Sequence, residues 1–110
     1  MKNIIQFIKE SKERTFNTTL REWFEWYLGP SYFDGKITRE VCKMDGSLDY
    51  NCEELDMSYN EFANWLNDHM DDEITIIATD IGNTIDHVFT IDGEELGFDA
   101  ICYFGDKEKN

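Results

Sequence analysis

The chain has 110 residues, of which 41% are hydrophobic and 15% aromatic, and its formal net charge is −14. This length predicts one domain, residues 1–110, with a single modest core, and the aromatic content argues against disorder despite the charge. A strongly acidic surface repels nucleic acid and anionic membranes. We therefore expect no direct binding to either, and we expect cations or basic protein surfaces as partners.

The negative charge is concentrated in one segment, residues 44–106. This segment contains 17 Asp and Glu residues and no Lys or Arg, whereas residues 1–43 contain eight basic and six acidic residues. Almost all of the net charge therefore comes from one continuous part of the chain.

The N-terminal residues predict neither a secretory signal nor a membrane anchor. The apolar patch from Ile4 to Ile8 is too short for a signal peptide, and no run approaches the roughly 18 apolar residues of a membrane-spanning helix. The three cysteines are odd in number, which is typical of a protein with free thiols. We expect the protein to be located in the cytoplasm of a bacterial host cell.

Two helices are predicted before residue 30. The spacing of the apolar residues from Ile4 to Ile8 predicts an amphipathic helix over residues 2–13. A capping box of Thr19 and Glu22 begins a second helix over residues 19–28, antiparallel to the first. Trp26 lies off the apolar stripe of the second helix, so the next segment covers it or it is an exposed anchor at an interface.

Residues 36–56 have weaker patterns. Residues 36–44 fit a helix face as well as a strand, and the flanking turn pairs, Asp34 with Gly35 and Asp45 with Gly46, favour a short strand. Residues 45–56 contain five acids with little periodicity. They predict an acidic loop.

The strongest local signal begins a helix at Ser58. Ser58 and Glu61 form a predicted capping box, and Met57 and Phe62 a hydrophobic staple. Asp68, Asp71 and Asp72 crowd the C-terminal end of this helix, where the helix dipole disfavours negative charge. A sequence selected for stability alone would more often place Lys there.

Alternating apolar residues predict three strands in the last third of the chain, residues 73–80, 85–91 and 96–104. Gly82 and Asn83 predict a turn, Asp92 and Gly93 a two-residue hairpin, and Gly97 a bulge. The predicted fold class is α+β: an N-terminal helical hairpin, a further capped helix, and a C-terminal three-stranded antiparallel meander with helices on one face.

Nothing in the sequence predicts catalysis, a metal or a cofactor. The soft metal ligands lack the local pair spacing of zinc sites, and the glycine at Gly46 is misplaced for an EF-hand loop. Carboxylate pairs are unavoidable in a chain with 24 acids, so they do not indicate acid–base chemistry. We expect a protein that is not an enzyme. The side chains that could serve as soft metal ligands are Cys42, Cys52, Cys102, His69 and His87.

The acidic segment has two interpretations, a solvated face or a surface that occupies a basic groove in another protein. On the second interpretation, acids on the helix after Ser58 and in the loop before it replace DNA phosphates, and two aromatic residues add apolar contacts. Asp68 and Asp72 would lie about 6 Å apart along the helix axis, close to the phosphate spacing of one strand. The candidate partner-binding residues are Asp45, Asp49, Glu53, Glu54, Glu61, Asp68, Asp71, Asp72, Trp26 and Trp65.

In size, acidity and absence of catalytic motifs, the chain resembles the small phage-encoded inhibitors known as anti-CRISPR proteins and DNA mimics. It also resembles nuclease-immunity proteins. The resemblance rests on the acid-only segment containing Ser58–Asp72 and Asp80–Asp99. It implies stoichiometric inhibition of a basic, nucleic-acid-binding protein, such as a nuclease or a CRISPR effector complex.

An alternative is a self-associating accessory module. Its homodimer face would be formed by Trp23, Trp26, Tyr27, Tyr32 and Phe33.

Overall fold

The structure is a computed structural model that describes residues 12–81 and 84–99. These residues form an α+β fold with four helices and a four-stranded antiparallel sheet. In chain order the elements are β1 (Lys12–Thr19), α1 (Leu20–Leu28), α2 (Arg39–Met44), α3 (Gly46–Glu54), α4 (Tyr59–Asp68), β2 (Glu73–Ile81), β3 (Thr84–Ile91) and β4 (Glu94–Asp99).

The sheet has the order β1-β2-β3-β4, and all four helices lie between β1 and β2 in the chain. Strand β1 was not predicted. The expected helix over residues 2–13 lies mostly outside the described residues, but Lys12 and Glu13, its last two, begin β1. The predicted helix is therefore wrong at Lys12 and Glu13, which belong to a strand, and the rest of the predicted N-terminal helical hairpin before them lies outside the described residues. Strand β1 pairs along its whole length with β2, from Lys12 opposite Asp80 to Thr19 opposite Glu73, and this long-range pairing sets its conformation.

Helix α1 confirms the predicted second helix. The Glu22 N–H donates to the Thr19 hydroxyl at 3.2 Å, so Thr19 is the N-cap. The Thr19 hydroxyl in turn donates to the Glu22 carboxylate at 3.1 Å. The helix ends at Gly29, whose φ of 76° is accessible to glycine at little cost. Helix α1 thus follows β1 directly and buries Leu20, Trp23 and Phe24.

Residues 36–56 correct two predictions. The strand predicted over residues 36–44 is helix α2, with Thr38 as its N-cap, and the predicted acidic loop is helix α3, with Asp45 as its N-cap. The Asp45 carboxylate accepts from Leu48 N–H at 2.9 Å, so the Asp45–Gly46 pair starts a helix and does not form a hairpin turn. Both helices form because short apolar stripes, including Val41 and Leu48, can be buried in the core.

Helix α4 confirms the predicted Ser58 helix. Both hydrogen bonds of the capping box are present: Glu61 N–H to the Ser58 hydroxyl at 3.1 Å, and Ser58 N–H to the Glu61 carboxylate at 3.0 Å. The hydrogen bond from the Ser58 N–H to the Glu61 carboxylate is the main cause that lowers the pKa of Glu61. The helix buries Phe62 and Leu66 and ends at Asp68.

Strands β2, β3 and β4 confirm the three predicted strands over their described parts. The hairpin between β3 and β4 has Asp92 and Gly93 at φ 51° and 79°, the pair of positive values that a type I′ turn requires. The bulge predicted at Gly97 is absent, because the pairing runs without interruption from Asp86 opposite Asp99 to Ile91 opposite Glu94. The predicted turn at residues 82–83 and the continuation of the last strand over residues 100–104 lie outside the described residues.

The core lies between one face of the sheet and the helices. Trp23 of α1 is at its centre: its ring stacks on Tyr27 at 4.7 Å between centroids and contacts Phe89 at 5.0 Å and Phe98 at 4.5 Å. On the other face of the sheet, Ile77 remains 40% exposed. The helices therefore cover one face, as predicted.

Two asparagine side chains fix the helices to extended segments. Asn51 of α3 donates to the Gly97 carbonyl of β4 at 2.9 Å and accepts from Gly97 N–H at 3.4 Å. Asn67 of α4 donates to the Ile37 carbonyl at 2.9 Å and accepts from Ile37 N–H at 2.7 Å. Each amide thus pairs with both backbone groups of one residue, as a neighbouring strand would. The Asn67 side chain is half-buried.

Candidate partner-binding surface

Acids on and near α3 and α4 form two groups, one at each end of α4. The first lines an open groove of about 570 Å³ between α3, the start of α4 and the start of α2, which we call the acidic groove. Its walls include Asp49, Glu53, Asp56 and one basic residue, Arg39. The candidates Glu54 and Glu61 are exposed on the same two helices.

The acids of the acidic groove differ in how firmly they are held. Asp49 is half-buried and accepts a hydrogen bond from the Tyr59 hydroxyl at 2.7 Å, and this bond is the main reason that the pKa of Tyr59 is raised. Glu53 and Asp56 are exposed. Asp56 has a φ of 55°, a left-handed conformation for which glycine is preferred after a helix. Asp is among the residues other than glycine that adopt this conformation most often.

The second group, which we call the α4 C-terminal cluster, consists of Asp68, Asp71, Asp72 and Asp92. Two of its members contact His69, whose Nδ1 lies 2.5 Å from Asp72 and whose Nε2 lies 2.9 Å from Asp92. The hydrogen bond to Asp72, together with the charges of Asp92, Asp72 and Asp68, outweighs desolvation and raises the pKa of His69. When His69 is protonated, its imidazole can donate to both Asp72 and Asp92 and so joins the end of α4 to the β3–β4 hairpin.

The remaining contacts of this cluster change one prediction. Asp71 pairs with Arg21 of α1 at 3.2 Å. Because α4 ends at Asp68, Asp72 is not on the helix, and the expected 6 Å rise from Asp68 to Asp72 along one axis does not apply. Asp68 is exposed and belongs to a last turn that contains no basic residue.

Asp45 is the candidate with the clearest structural role. Besides capping α3, its carboxylate accepts from the Tyr27 hydroxyl at 3.3 Å. Burial, the largest cause, raises the pKa of Tyr27 to about 12, so this hydroxyl stays protonated. Asp45 therefore holds α1 and α3 together.

The two candidate tryptophans lie on different parts of the surface. Trp65 is half-buried on α4, with its ring 6.0 Å from Phe62 and 5.6 Å from His69. Trp26 is half-buried on α1, against Trp23 at 6.4 Å and His87 at 5.5 Å. Its described ring contacts thus come from α1 and β3, whereas one of the two predicted alternatives placed its cover in the next segment, residues 31–33.

Trp26 belongs to a cleft that the sequence did not indicate. This aromatic cleft, of about 210 Å³, is formed by β1, α1 and β3. Its lining includes Phe16, Thr18, Glu22, Trp23, Trp26 and His87. Phe16 is 42% exposed, whereas Trp23 and His87 are buried. The only sequence signal was the position of Trp26 off the helical stripe, because the strand that supplies Phe16 was not predicted.

The expected aromatic dimer face is only partly available at the surface. Trp23 and Phe33 are buried in the core, and Tyr27 is half-buried beside Trp23. Tyr32 is 55% exposed on the loop after α1. Exposed aromatic surface is therefore discontinuous in this region.

We found no match to the chain among protein families, curated proteins or solved structures. The surface described above is therefore interpreted from its own chemistry.

The described part of the chain was compared with the requirements of a metal site and of a membrane-spanning helix. Within residues 12–81 and 84–99, no three His, Cys, Asp or Glu side chains are grouped in a way that could hold a metal ion. In the same ranges, no helix has the length and apolar character needed to cross a bilayer.

Burial raises the pKa of the Cys42 thiol to about 12 and is also the main cause of the raised pKa of Cys52. Neither thiol is in the ionised form that nucleophilic chemistry requires.

Proposed function

We propose that this protein is a non-catalytic inhibitor that binds a basic, nucleic-acid-binding protein and occupies its cleft in place of nucleic acid. The acidic groove and the α4 C-terminal cluster together form its binding surface. The partner is a nuclease or a CRISPR effector complex, consistent with the resemblance to DNA mimics and immunity proteins.

The observation that carries the proposal is the placement of an exposed acid where local stability favours a basic residue. Asp68 stands at the negative end of the helix dipole of α4, in a last turn without a basic residue. The acidic groove adds the exposed acids Glu53 and Asp56 near the start of the same helix. A carboxylate at the position of Asp68 is better explained by a partner with positive charge than by the stability of the fold.

The geometry also suits a polyanion mimic. Helix α4 has ten residues, so the two acid groups are separated by about 15 Å of rigid helix. Duplex DNA presents one charge per roughly 1.7 Å of axis, so a protein that replaces it needs several carboxylates on a fixed support. The capping box and the Asn67 amide hold α4 at its two ends.

The acids that are not used inside the fold define the test. Asp45, Asp49, Asp71 and Asp72 hold other side chains, so changing them would also disturb the structure. Glu53 and Asp68 are exposed, one in each group. We therefore expect them to affect binding without loss of the fold.

The experiment is affinity capture from a bacterial lysate with the purified protein, at low and high salt. The double variant Glu53→Lys with Asp68→Lys is compared with a control that changes the charge equally elsewhere, Glu13→Lys with Asp34→Lys. We expect the wild type and the control to retain a basic nucleic-acid-binding protein that salt elutes, and the double variant to lose it. Equal retention by both variants, or recovery of no basic protein, would contradict the proposal.

A further inference from the structure

The aromatic cleft combines apolar walls with one carboxylate. Phe16 comes from β1, Trp23 and Trp26 from α1, and His87 from β3. Glu22 lies one helical turn before Trp26 and also lines the cleft. Its carboxylate is oriented by the Thr19 hydroxyl, which donates to it at 3.1 Å. The cleft therefore presents ring faces beside a positioned negative charge.

This chemistry suits a flat cation. A cation over the face of a tryptophan, within about 6 Å of the ring centroid, is attracted by the ring quadrupole. A guanidinium group is planar, more weakly hydrated than an ammonium group, and stacks on aromatic rings while it hydrogen-bonds to a carboxylate. Trp26 and Glu22 offer both interactions in one place.

The size of the cleft limits the ligand. Sites for drug-sized molecules have volumes of about 300 to 1,000 Å³. At about 210 Å³, the aromatic cleft admits one long side chain rather than a cofactor.

We propose that the aromatic cleft binds an arginine side chain of the partner, with the guanidinium stacked on Trp26 and paired with Glu22. The inference rests on the proposed function, because a basic partner supplies the arginine. It adds a second contact on the α1 side of the molecule, away from the acidic groove.

The test uses blocked arginine, N-acetyl-arginine methylamide, as a probe of the isotope-labelled full chain by NMR. Blocked citrulline, which has nearly the same shape without the charge, is the control ligand. We expect arginine, and not citrulline, to shift the resonances of Phe16, Trp23, Trp26 and His87 in a saturable way. Such shifts for arginine alone support the proposal, whereas equal shifts for citrulline overturn it.

Variants locate the site independently. Trp26→Leu should weaken arginine binding by about 2- to 30-fold, the range expected for loss of a cation–π contact. Ile77→Ala, which removes exposed apolar surface from the opposite sheet face, should not. Glu22→Gln should also weaken binding, while Glu25→Gln, the same change at an exposed site on α1, should not. The glutamine variants retain the shape of the side chain, so they remain informative if Trp26→Leu fails to fold.

The outcomes separate this inference from the proposed function. If arginine shifts only residues of the acidic groove, or if Glu25→Gln weakens binding as much as Glu22→Gln, the aromatic cleft is not an arginine site. The proposed function would still be supported in that case if the wild type captures a basic partner from the lysate and the variant with Glu53→Lys and Asp68→Lys does not. Arginine binding in the cleft without capture of any basic protein would support the cleft chemistry and contradict the proposed function alone.

Discussion

Asp68 is the last residue of helix α4, so its carboxylate stands at the negative end of the helix dipole. The last turn contains no basic residue, and Asp71 and Asp72 follow directly. An exposed charge at a helix end contributes about 0.3 to 1 kcal/mol, with a sign set by the charge. At a pH where His69 is neutral, so that the attraction between its imidazolium and Asp68 is absent, Asp68→Lys removes one unfavourable interaction and adds a favourable one. The free energy of unfolding should therefore rise by about 0.6 to 2 kcal/mol.

Urea unfolding and thermal melts measure this effect. A gain of 1 kcal/mol corresponds to a rise in Tm of about 4 to 8 °C for a domain of nearly this size. The control is Asp34→Lys, an exposed loop residue outside the helices, for which the change in net charge is the same. Asp68→Asn, which removes only the acid, should give about half the gain.

The comparison separates the helix dipole from general charge repulsion. If Asp34→Lys stabilises the fold as much as Asp68→Lys, the gain comes from the lower net charge of the molecule and the dipole argument is refuted. A fall in stability for Asp68→Lys would refute it as well. If Asp68→Lys stabilises the fold and also weakens partner binding, this carboxylate is maintained for binding at the expense of stability.

Two further predictions concern contacts that hold the fold. Asn51→Leu removes the amide that pairs with Gly97 and should lower the free energy of unfolding, measured in urea, by about 1 to 3 kcal/mol. The control is Asn64→Ala, at an exposed site on α4. A loss of stability no larger than that of the control would contradict the role of the Asn51 amide. For His69, the raised pKa means that its contribution is fully present below the pKa of the unfolded chain and is lost as pH rises through the higher pKa of the folded protein. The difference in unfolding free energy between wild type and His69→Gln should therefore shrink as pH rises, and a constant difference would contradict the bridge to Asp72.

The elements predicted from the sequence are those with complete local signals. Helix α4 has its complete capping box between Ser58 and Glu61, and the β3–β4 hairpin has Asp92 and Gly93, whose positive φ values suit its turn. Strand β1 carries no such signal. Its pairing contact between Asn17 and Thr75 spans 58 residues, so only the folded chain brings the two together. A strand specified mainly by distant pairing cannot be predicted from its own residues with the same success.

The error at residues 36–56 has a different cause. Asp45 followed by Gly46 is the sequence of a hairpin turn, but Asp is also a favoured helix N-cap. Whether the pair forms a turn or starts a helix depends on whether Leu48 and its neighbours can be buried. The same limit applies to the candidate surface. The sequence showed that the acids are concentrated in one segment. It could not show that Asp45 is used inside the fold, that the other acids divide between the two ends of α4, or that β1 completes an aromatic cleft.

The most direct test of the proposed function is competition with nucleic acid. Once a basic partner has been captured and purified, its binding to a labelled DNA or RNA duplex is titrated with this protein. We expect displacement that saturates at one equivalent, weakens as salt is raised, and is lost with Glu53→Lys and Asp68→Lys but not with Glu13→Lys and Asp34→Lys. Simultaneous binding of the duplex and this protein to the partner would contradict the claim that the acids occupy a nucleic-acid-binding cleft.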